Sequence, residues 1–423
     1  MKAIVKAFPV LAAFFVMGFC DIVGISSDYM QQSFGWSSTM TGFVPSMVFI
    51  WFLFLGIPVG NKMNTWGRKN TVLISMGITV VGMFLPLLSY SSLTCIAAYV
   101  LLGIGNAILQ ISLNPLLNNV IRDRNLLTSS LTAGQVIKAV SSLVGPEIVL
   151  FATLHFGGEH WYYCFPILGA ITLFFAFWLM LTPIEREQRA GETVSVRDSF
   201  SLLKDRTVLV LFLGIFFIVG VDVATNYISS KLMATRYAWG EEQVKFAPQV
   251  YFMSRTIGAL LGTFLLARIS GVRYFRWNIL ACTLSLAILL VAGNAALSLV
   301  CIGGIGFFAS SVFSIIYSYA FQECPSKINQ MSGLMITAVA GGGIVTPFLG
   351  FAIDLAGITA GLCVILACVL YLVYCAFAQG KQGKIENFLC RSARLAASVS
   401  VYLWIRAGAE AFLFGWFLPP PSS

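Results

Sequence analysis

From end to end the chain alternates long apolar stretches with short polar loops. Each stretch holds about 20 residues, the length a helix needs to cross a bilayer core about 30 Å thick. A membrane β-barrel would show segments of about ten residues alternating apolar and polar, and that pattern is missing. Helices satisfy their own backbone groups within each stretch, so the expected fold is an all-α membrane protein with twelve transmembrane helices. The expected spans are Phe8 to Ser27, Phe43 to Gly60, Thr71 to Tyr90, Thr94 to Leu117, Ser129 to His155 and Tyr162 to Thr182, followed by Thr207 to Ser229, Ala247 to Ile269, Trp277 to Asn294, Ala296 to Tyr319, Gln330 to Leu355 and Ile358 to Ala378.

Placing every Lys and Arg on a side tests this division. Lys2, Lys6, Lys62, Arg68, Lys69, Arg122, Arg124, Arg186, Arg189, Arg197, Lys204, Arg206, Arg268, Arg273, Arg276, Lys327 and the basic residues from Lys381 onward fall on one side, and only Lys231, Arg236 and Lys245 on the other. One span too many or too few would exchange the later loops and erase the bias. An even number of spans with this asymmetry puts both termini in the cytoplasm, with the chain multi-pass in a cell membrane, expected to be a bacterial inner membrane. The longest charged interruption, Pro183 to Arg206, falls midway. The expected organisation is a six-helix half over 1–182, a cytoplasmic linker over 183–206, a second half over 207–380 and a tail over 381–423. The halves echo one another in Gly18-Phe-Cys-Asp21-Ile-Val and Val219-Gly-Val-Asp222-Val-Ala, although two short strings also match by chance. Each acid stands about fourteen residues into its span, or about 20 Å deep at 1.5 Å per residue.

Composition adds exclusions. With 58% hydrophobic and 10% charged residues in 423, the chain has more apolar side chain than a soluble fold of this size hides. The net charge of +9 sits beside the spans and forms no arm, so it reads as membrane topology and not as nucleic-acid binding. Ten cysteines, among them Cys20, Cys95, Cys164, Cys282, Cys301 and Cys368, lie mostly in apolar stretches without metal-type spacing and are expected to be packing residues. Phe8 to Ser27 lacks an Ala-x-Ala cleavage site and carries Asp21, which makes it a retained span instead of a signal peptide. His155 and His160 are the only histidines, and no phosphate loop, nucleophile elbow or His/Cys/acid cluster is visible. No enzyme, cofactor or metal is expected.

The loop Gly60-Asn-Lys-Met-Asn64-Thr-Trp-Gly67-Arg68-Lys69 resembles the Gly-x-x-x-Asp-Arg-x-Gly-Arg-Lys signature of the major facilitator superfamily, with Asn64 replacing the acid and Thr65 the next base. A basic tight turn is the plainer reading. Asp28-Tyr-Met-Gln31-Gln32-Ser-Phe34, Gln110-Ile-Ser-Leu-Asn114-Pro115, Val219-Gly-Val-Asp222-Val, Ser254-Arg255-Thr-Ile-Gly258 and the eleventh span, with Ser332-Gly-Leu-Met, Gly341-Gly-Gly-Ile-Val-Thr-Pro347 and Asp354, narrow the resemblance to the fucose:proton symporter branch. The resemblance covers the chain to about residue 380. It implies two six-helix halves, a conformational loop at Gly60, Asn64, Gly67, Arg68 and Lys69, and a secondary transporter acting on a sugar and protons. The chain departs from that branch where Gln110 replaces a glutamate, where the first acid moves to Asp21 and where Lys138 replaces a neutral polar residue.

A lone charge at the centre of a membrane helix costs about 2.5–3.5 kcal/mol, so it usually faces a partner or a wet cavity. Asp21, Lys138, Asp222 and Arg255 are the deep ones and the candidates for proton coupling; Glu147 and Asp354 lie nearer span ends. The third, sixth, ninth and twelfth spans carry no charge, and in the superfamily those positions are outer supports. Asp21 and Lys138 either form a coupling element that parts on protonation or a permanent ion pair. A sugar calls for amides and an aromatic platform, supplied here by Gln110, Asn114, Gln135, Asn226 and Gln249 and by Tyr227, Tyr251 and Tyr317; interhelical bonding is the alternative role for each amide. Gly56 with Gly60 and Gly258 with Gly262 have helix-packing spacing, and Gly341 to Gly343 before Pro347 either pack or bend the eleventh span. The expected partners are a small polar solute, protons and membrane lipid, and the chain is expected to act as a monomer. A drug or metabolite:proton antiporter and a non-transporting sensor of the same fold are the rival readings. The Arg- and Trp-rich tail after residue 380 is given no function.

Overall fold

The computed structural model describes residues 2–22, 50–121, 124–187, 195–240 and 246–378, with isolated positions between these segments. Asp28, Gln31, Gln32 and the tail 381–423 lie outside the described residues, as does the side chain of Asp21. All regular structure among the described residues is helical. Its α-helices are α1 (Lys2–Met17), α2 (Trp51–Trp66), α3 (Arg68–Leu88), α4 (Ser92–Val120), α5 (Arg124–Phe156), α6 (Cys164–Leu181) and α7 (Val196–Ser201), then α8 (Arg206–Tyr237), α9 (Phe246–Leu266), α10 (Gly271–Val291), α11 (Ala295–Ala309), α12 (Val312–Glu323), α13 (Ile328–Thr337) and α14 (Gly341–Ala378). Eight stretches are long and apolar enough to cross a membrane, namely Arg68–Leu88, Ser92–Val120, Leu126–Phe156, Gly158–Leu181, Arg206–Tyr237, Gly271–Val291, Ala295–Glu323 and Pro325–Ala378. The chain is thus a multi-pass helical membrane protein.

Local chemistry fixes the helix ends. Ser91 and Thr94 form a reciprocal capping box at the start of α4. The Asp205 carboxylate accepts from the backbone N–H groups of Thr207 and Val208 and starts α8, and Asn294 does the same for α11 through the N–H of Leu297. Between α2 and α3 the chain turns at Gly67, whose φ of 85° and ψ of 146° suit glycine alone. The long α14 breaks at Ala356 and at Gly357 (φ 77°), between the two spans expected to end at Leu355 and begin at Ile358. A 3-10 turn over Ala338–Ala340 precedes Gly341 to Gly343. Gly341 itself allows close packing, since a Cβ there would lie 2.1 Å from the carbonyl oxygen of Phe216.

Helices α1 and α3 to α6 pack mainly on one another, as do α8 to α12 and α14. The two groups meet where α2 and α4 cross α13 and where α5 contacts α9 and α12. Cys20, Cys95, Cys164, Cys282, Cys301 and Cys368 are buried thiols. Large apolar side chains such as Val81, Phe174, Leu284 and Leu370 are exposed on the stretches without charge, where lipid is the solvent.

Candidate functional site

The clearest charged site is carried by α8 and α9. Tyr251 and Arg255 stand one turn apart on α9 and so project from one face toward α8. Met253, Ile257, Leu261 and Leu265 form an exposed apolar stripe on the other face. The buried Tyr251 hydroxyl donates to Asp222 Oδ1 at 2.6 Å, and Arg255 Nη2 lies 3.1 Å from Asp222 Oδ2. Both carboxylate oxygens are therefore engaged. The pair is only partly covered by protein, with the side chains of Arg255 and Asp222 exposed by 39% and 26%. A carboxylate held within membrane helices needs such partners, and here both of its oxygens have one.

In the first helix group, the 3-10 turn Gly18–Ile22 runs along α5. A Cβ on Gly18 would lie 2.5 Å from the carbonyl oxygen of Lys138 and 2.7 Å from Ser141 Cβ, and one on Gly145 would lie 3.9 Å from Ile22 Cβ. The backbone of Asp21 thus follows the turns of α5 that begin at Lys138. The Lys138 side chain is half-buried. Next to Asp21, Cys20 Sγ accepts from the buried Asn106 Nδ2 at 3.0 Å.

The amides and aromatics expected around a solute divide among several places. Asn226 is half-buried, one turn from Asp222 on α8, and Gln135 is half-buried on α5 near Lys138. Tyr227 is exposed, with Lys231 Nζ 4.3 Å from its ring centroid. Gln249 is exposed, two residues from Tyr251 and so on the other side of α9. Gln110, Asn114 and Tyr317 instead lie buried at the seam between the two helix groups. There Ser332 Oγ donates to the carbonyl oxygen of Ile111 at 2.5 Å and the Tyr317 hydroxyl bonds Ser332 Oγ at 2.6 Å, while Asn114 Nδ2 reaches the carbonyl oxygen of Gln110 at 3.1 Å.

That seam continues to the loop between α2 and α3. Arg68 is buried and donates from Nε to Asn329 Oδ1 at 2.7 Å, from Nη1 to the carbonyl oxygen of Pro115 at 3.2 Å and to Asn119 Oδ1. Asn329 in turn donates from Nδ2 to Asn64 Oδ1 at 2.7 Å. Thr128 reaches Ser318 Oγ at 2.7 Å and Ser129 the carbonyl oxygen of Thr263 at 2.5 Å. Gly60 adjoins Asn329 and Gly333, where a Cβ would meet backbone at 2.7 and 2.9 Å. Lys69 donates to the carbonyl oxygens of Met180 and Thr182 at 2.9 and 2.8 Å, tying α3 to the end of α6. These contacts between the groups lie toward the linker. Sequence reasoning missed Asn329, Asn119 and the linker residues Arg186 and Glu187 that join this network.

Two groups of membrane helices thus meet along a seam that buries Arg68 and the amides of Gln110, Asn114 and Asn329. The chain belongs to the Major Facilitator Superfamily, whose sequence profile matches residues 10–347. It is 22% identical over 397 residues to a putative glucose/galactose transporter of Helicobacter pylori, covering 88% of this chain and 96% of that protein. A glucose/galactose transporter of Brucella abortus is 23% identical over 376 residues, covering 85% and 90%. Among solved structures, the E. coli fucose:proton symporter FucP superposes with a TM-score of 0.78 at 17% identity, covering 90% of this chain and 99% of that one. The proton:xylose symporter XylE gives 0.70 at 13% identity, covering 89% and 94%. At these identities the structures speak to fold. The chain is a transporter of this superfamily and not an enzyme.

Proposed function

We propose that the chain takes up a sugar, or a similar small polar solute, together with protons, by alternating access between two six-helix halves over 1–182 and 207–380. Twelve spans fit this reading. Besides the eight apolar stretches, α1, α2 and α9 each supply a further helix, and the 54 residues of Pro325–Ala378 suffice for two crossings separated at Gly357. The Lys and Arg bias supports a cytoplasmic linker and cytoplasmic termini, and the proposed location is a bacterial inner membrane.

The observation that carries the reading is the Asp222 carboxylate, bonded on both oxygens inside membrane helices and still partly exposed. Coupling requires that the protonated and ionised forms favour different conformations, because a proton that binds both equally shifts nothing. Protonating Asp222 releases its hold on Arg255, and Asp21 beside Lys138 is the corresponding candidate in the first half. Asn226 and Gln135 stand near these charges and offer the amides that a polyhydroxylated solute needs.

A panel of sugars tested for counterflow in proteoliposomes, with and without a pH gradient, tests the proposal. Exchange of at least one hexose or pentose, with accumulation only when the outside is acidic, is the expected result. Exchange of apolar cations against protons would mean an antiporter, and no exchange of any solute would mean a sensor.

A further inference from the structure

The loop between α2 and α3 lacks two charges of the signature it resembles, with Asn64 at the acidic position and Thr65 at the following basic one. Two consecutive linker residues bring those charges to it. Arg186 donates from Nη2 to the carbonyl oxygen of Thr65 at 2.6 Å, and its Nε would lie 3.2 Å from a Cβ on Gly67. Glu187 accepts the backbone N–H of Arg68 on Oε1 at 2.7 Å, accepts from Asn119 Nδ2 on Oε2 at 3.3 Å, and stands 4.0 Å from Arg68 Nε. A third tether follows at Ser199, which is fully buried and donates to Asn61 Oδ1 at 2.7 Å. Helix α7, which carries Ser199, packs on α2 and on α13 and so covers the seam between the helix groups.

We infer that the linker pair Arg186 and Glu187 restores the base and the acid absent from the loop, and that Glu187 positions Arg68 to latch the seam shut. A buried guanidinium needs both acceptors and a counter-charge. Arg68 is only 7% exposed, and Glu187 is the acid in contact with it among the described residues. Held there, Arg68 bridges to Asn329 on α13, and Asn329 bonds back to Asn64 on α2. The chain Glu187, Arg68, Asn329, Asn64 therefore crosses from one helix group to the other. Parting α2 and α3 from α13 breaks both bonds of Asn329. Glu187 thus stabilises the closed arrangement more than the parted one, where Arg68 is free to hydrate, and this difference biases the conformational equilibrium. The inference is independent of which solute is carried.

Pulsed electron spin resonance on full-length protein in nanodiscs tests it. Nitroxides are placed at Lys62→Cys and Lys327→Cys, two exposed positions on either side of the seam, with Cys324, Cys363 and Cys390 replaced by Ser. Glu187→Gln, which keeps the shape and removes the charge, and Glu187→Ala are expected to move the short-to-long distance ratio about tenfold toward the long population. The same change at exposed Glu185 is expected to leave the ratio unchanged. In an Asn329→Ala background, where the bridge is already cut, Glu187→Gln is expected to add less than about twofold. If Glu187→Ala does not fold, the isosteric Gln variant still reports. A parental distance distribution in Glu187→Gln, or a shift undiminished by Asn329→Ala, overturns the inference.

Discussion

Gly333→Ala tests whether the crossing of α2 and α13 is a conformational latch. A Cβ at Gly333 would lie 2.3 Å from the carbonyl oxygen of Gly56 and 3.1 Å from both Gly56 C and Gly60 Cα. All three are backbone atoms, so no side-chain rotation relieves the clash, and the helices must separate by about 1 Å to regain ordinary contact. Overpacking of this kind costs about 1–3 kcal/mol. In the proposed alternating-access cycle the crossing forms only while the helix groups are closed toward the linker, so the cost falls on that conformation alone. At 1.4 kcal/mol per factor of ten, the balance moves toward the parted conformation by about fivefold to about 150-fold. The reporter is Thr128→Cys, at a site 5% exposed that now bonds Ser318 across the seam. A membrane-impermeant maleimide added to inside-out vesicles is expected to label it at least about fivefold faster in Gly333→Ala than in the parent. A parental labelling rate in a variant with parental thermal stability would refute the latch.

Three further outcomes follow from the geometry. Asp222→Asn leaves Arg255 without its carboxylate; gradient-driven uptake is expected to fall at least about tenfold while counterflow continues, measured side by side in proteoliposomes. Tyr251→Phe removes a bond to a charged acceptor worth about 1.5–3 kcal/mol, so the thermal midpoint of the solubilised protein is expected to drop by several degrees. Gly67→Ala forces a side chain into a backbone conformation of φ 85°, at a cost of about 1–3 kcal/mol, visible as a lower midpoint and faster proteolysis at the α2–α3 turn.

What the sequence revealed and what it concealed differ in range. The apolar spans, the break before Ile358, the packing role of Gly60 and the turn at Gly67 each depend on residues within a few positions of one another. The pairing of Asp222 with Arg255 was within reach because both charges had to be deep in the membrane and needed partners. Tyr251 was legible as a polar aromatic residue but not as a donor to Asp222, since its direction depends on how α9 faces α8. Tyr317, Gln110 and Asn114 read alike as candidate solute contacts, and their place in the seam was not legible because the packing of the helix groups and not helix periodicity sets their surroundings. Asn329 and Glu187 left no local trace. Their partners are 261 and 119 residues away, and the missing charges at Asn64 and Thr65 were the only hint that another segment serves the loop.

The most direct test of coupled uptake is to record solute and proton together in one preparation. Proteoliposomes loaded with a pH-sensitive dye and held at zero membrane potential are given a transported sugar with no pH gradient imposed. Sugar entry is expected to acidify the lumen, and Asp222→Asn is expected to abolish the acidification while sugar still exchanges. Sugar entry at the parental rate with no change in lumenal pH would contradict coupled uptake.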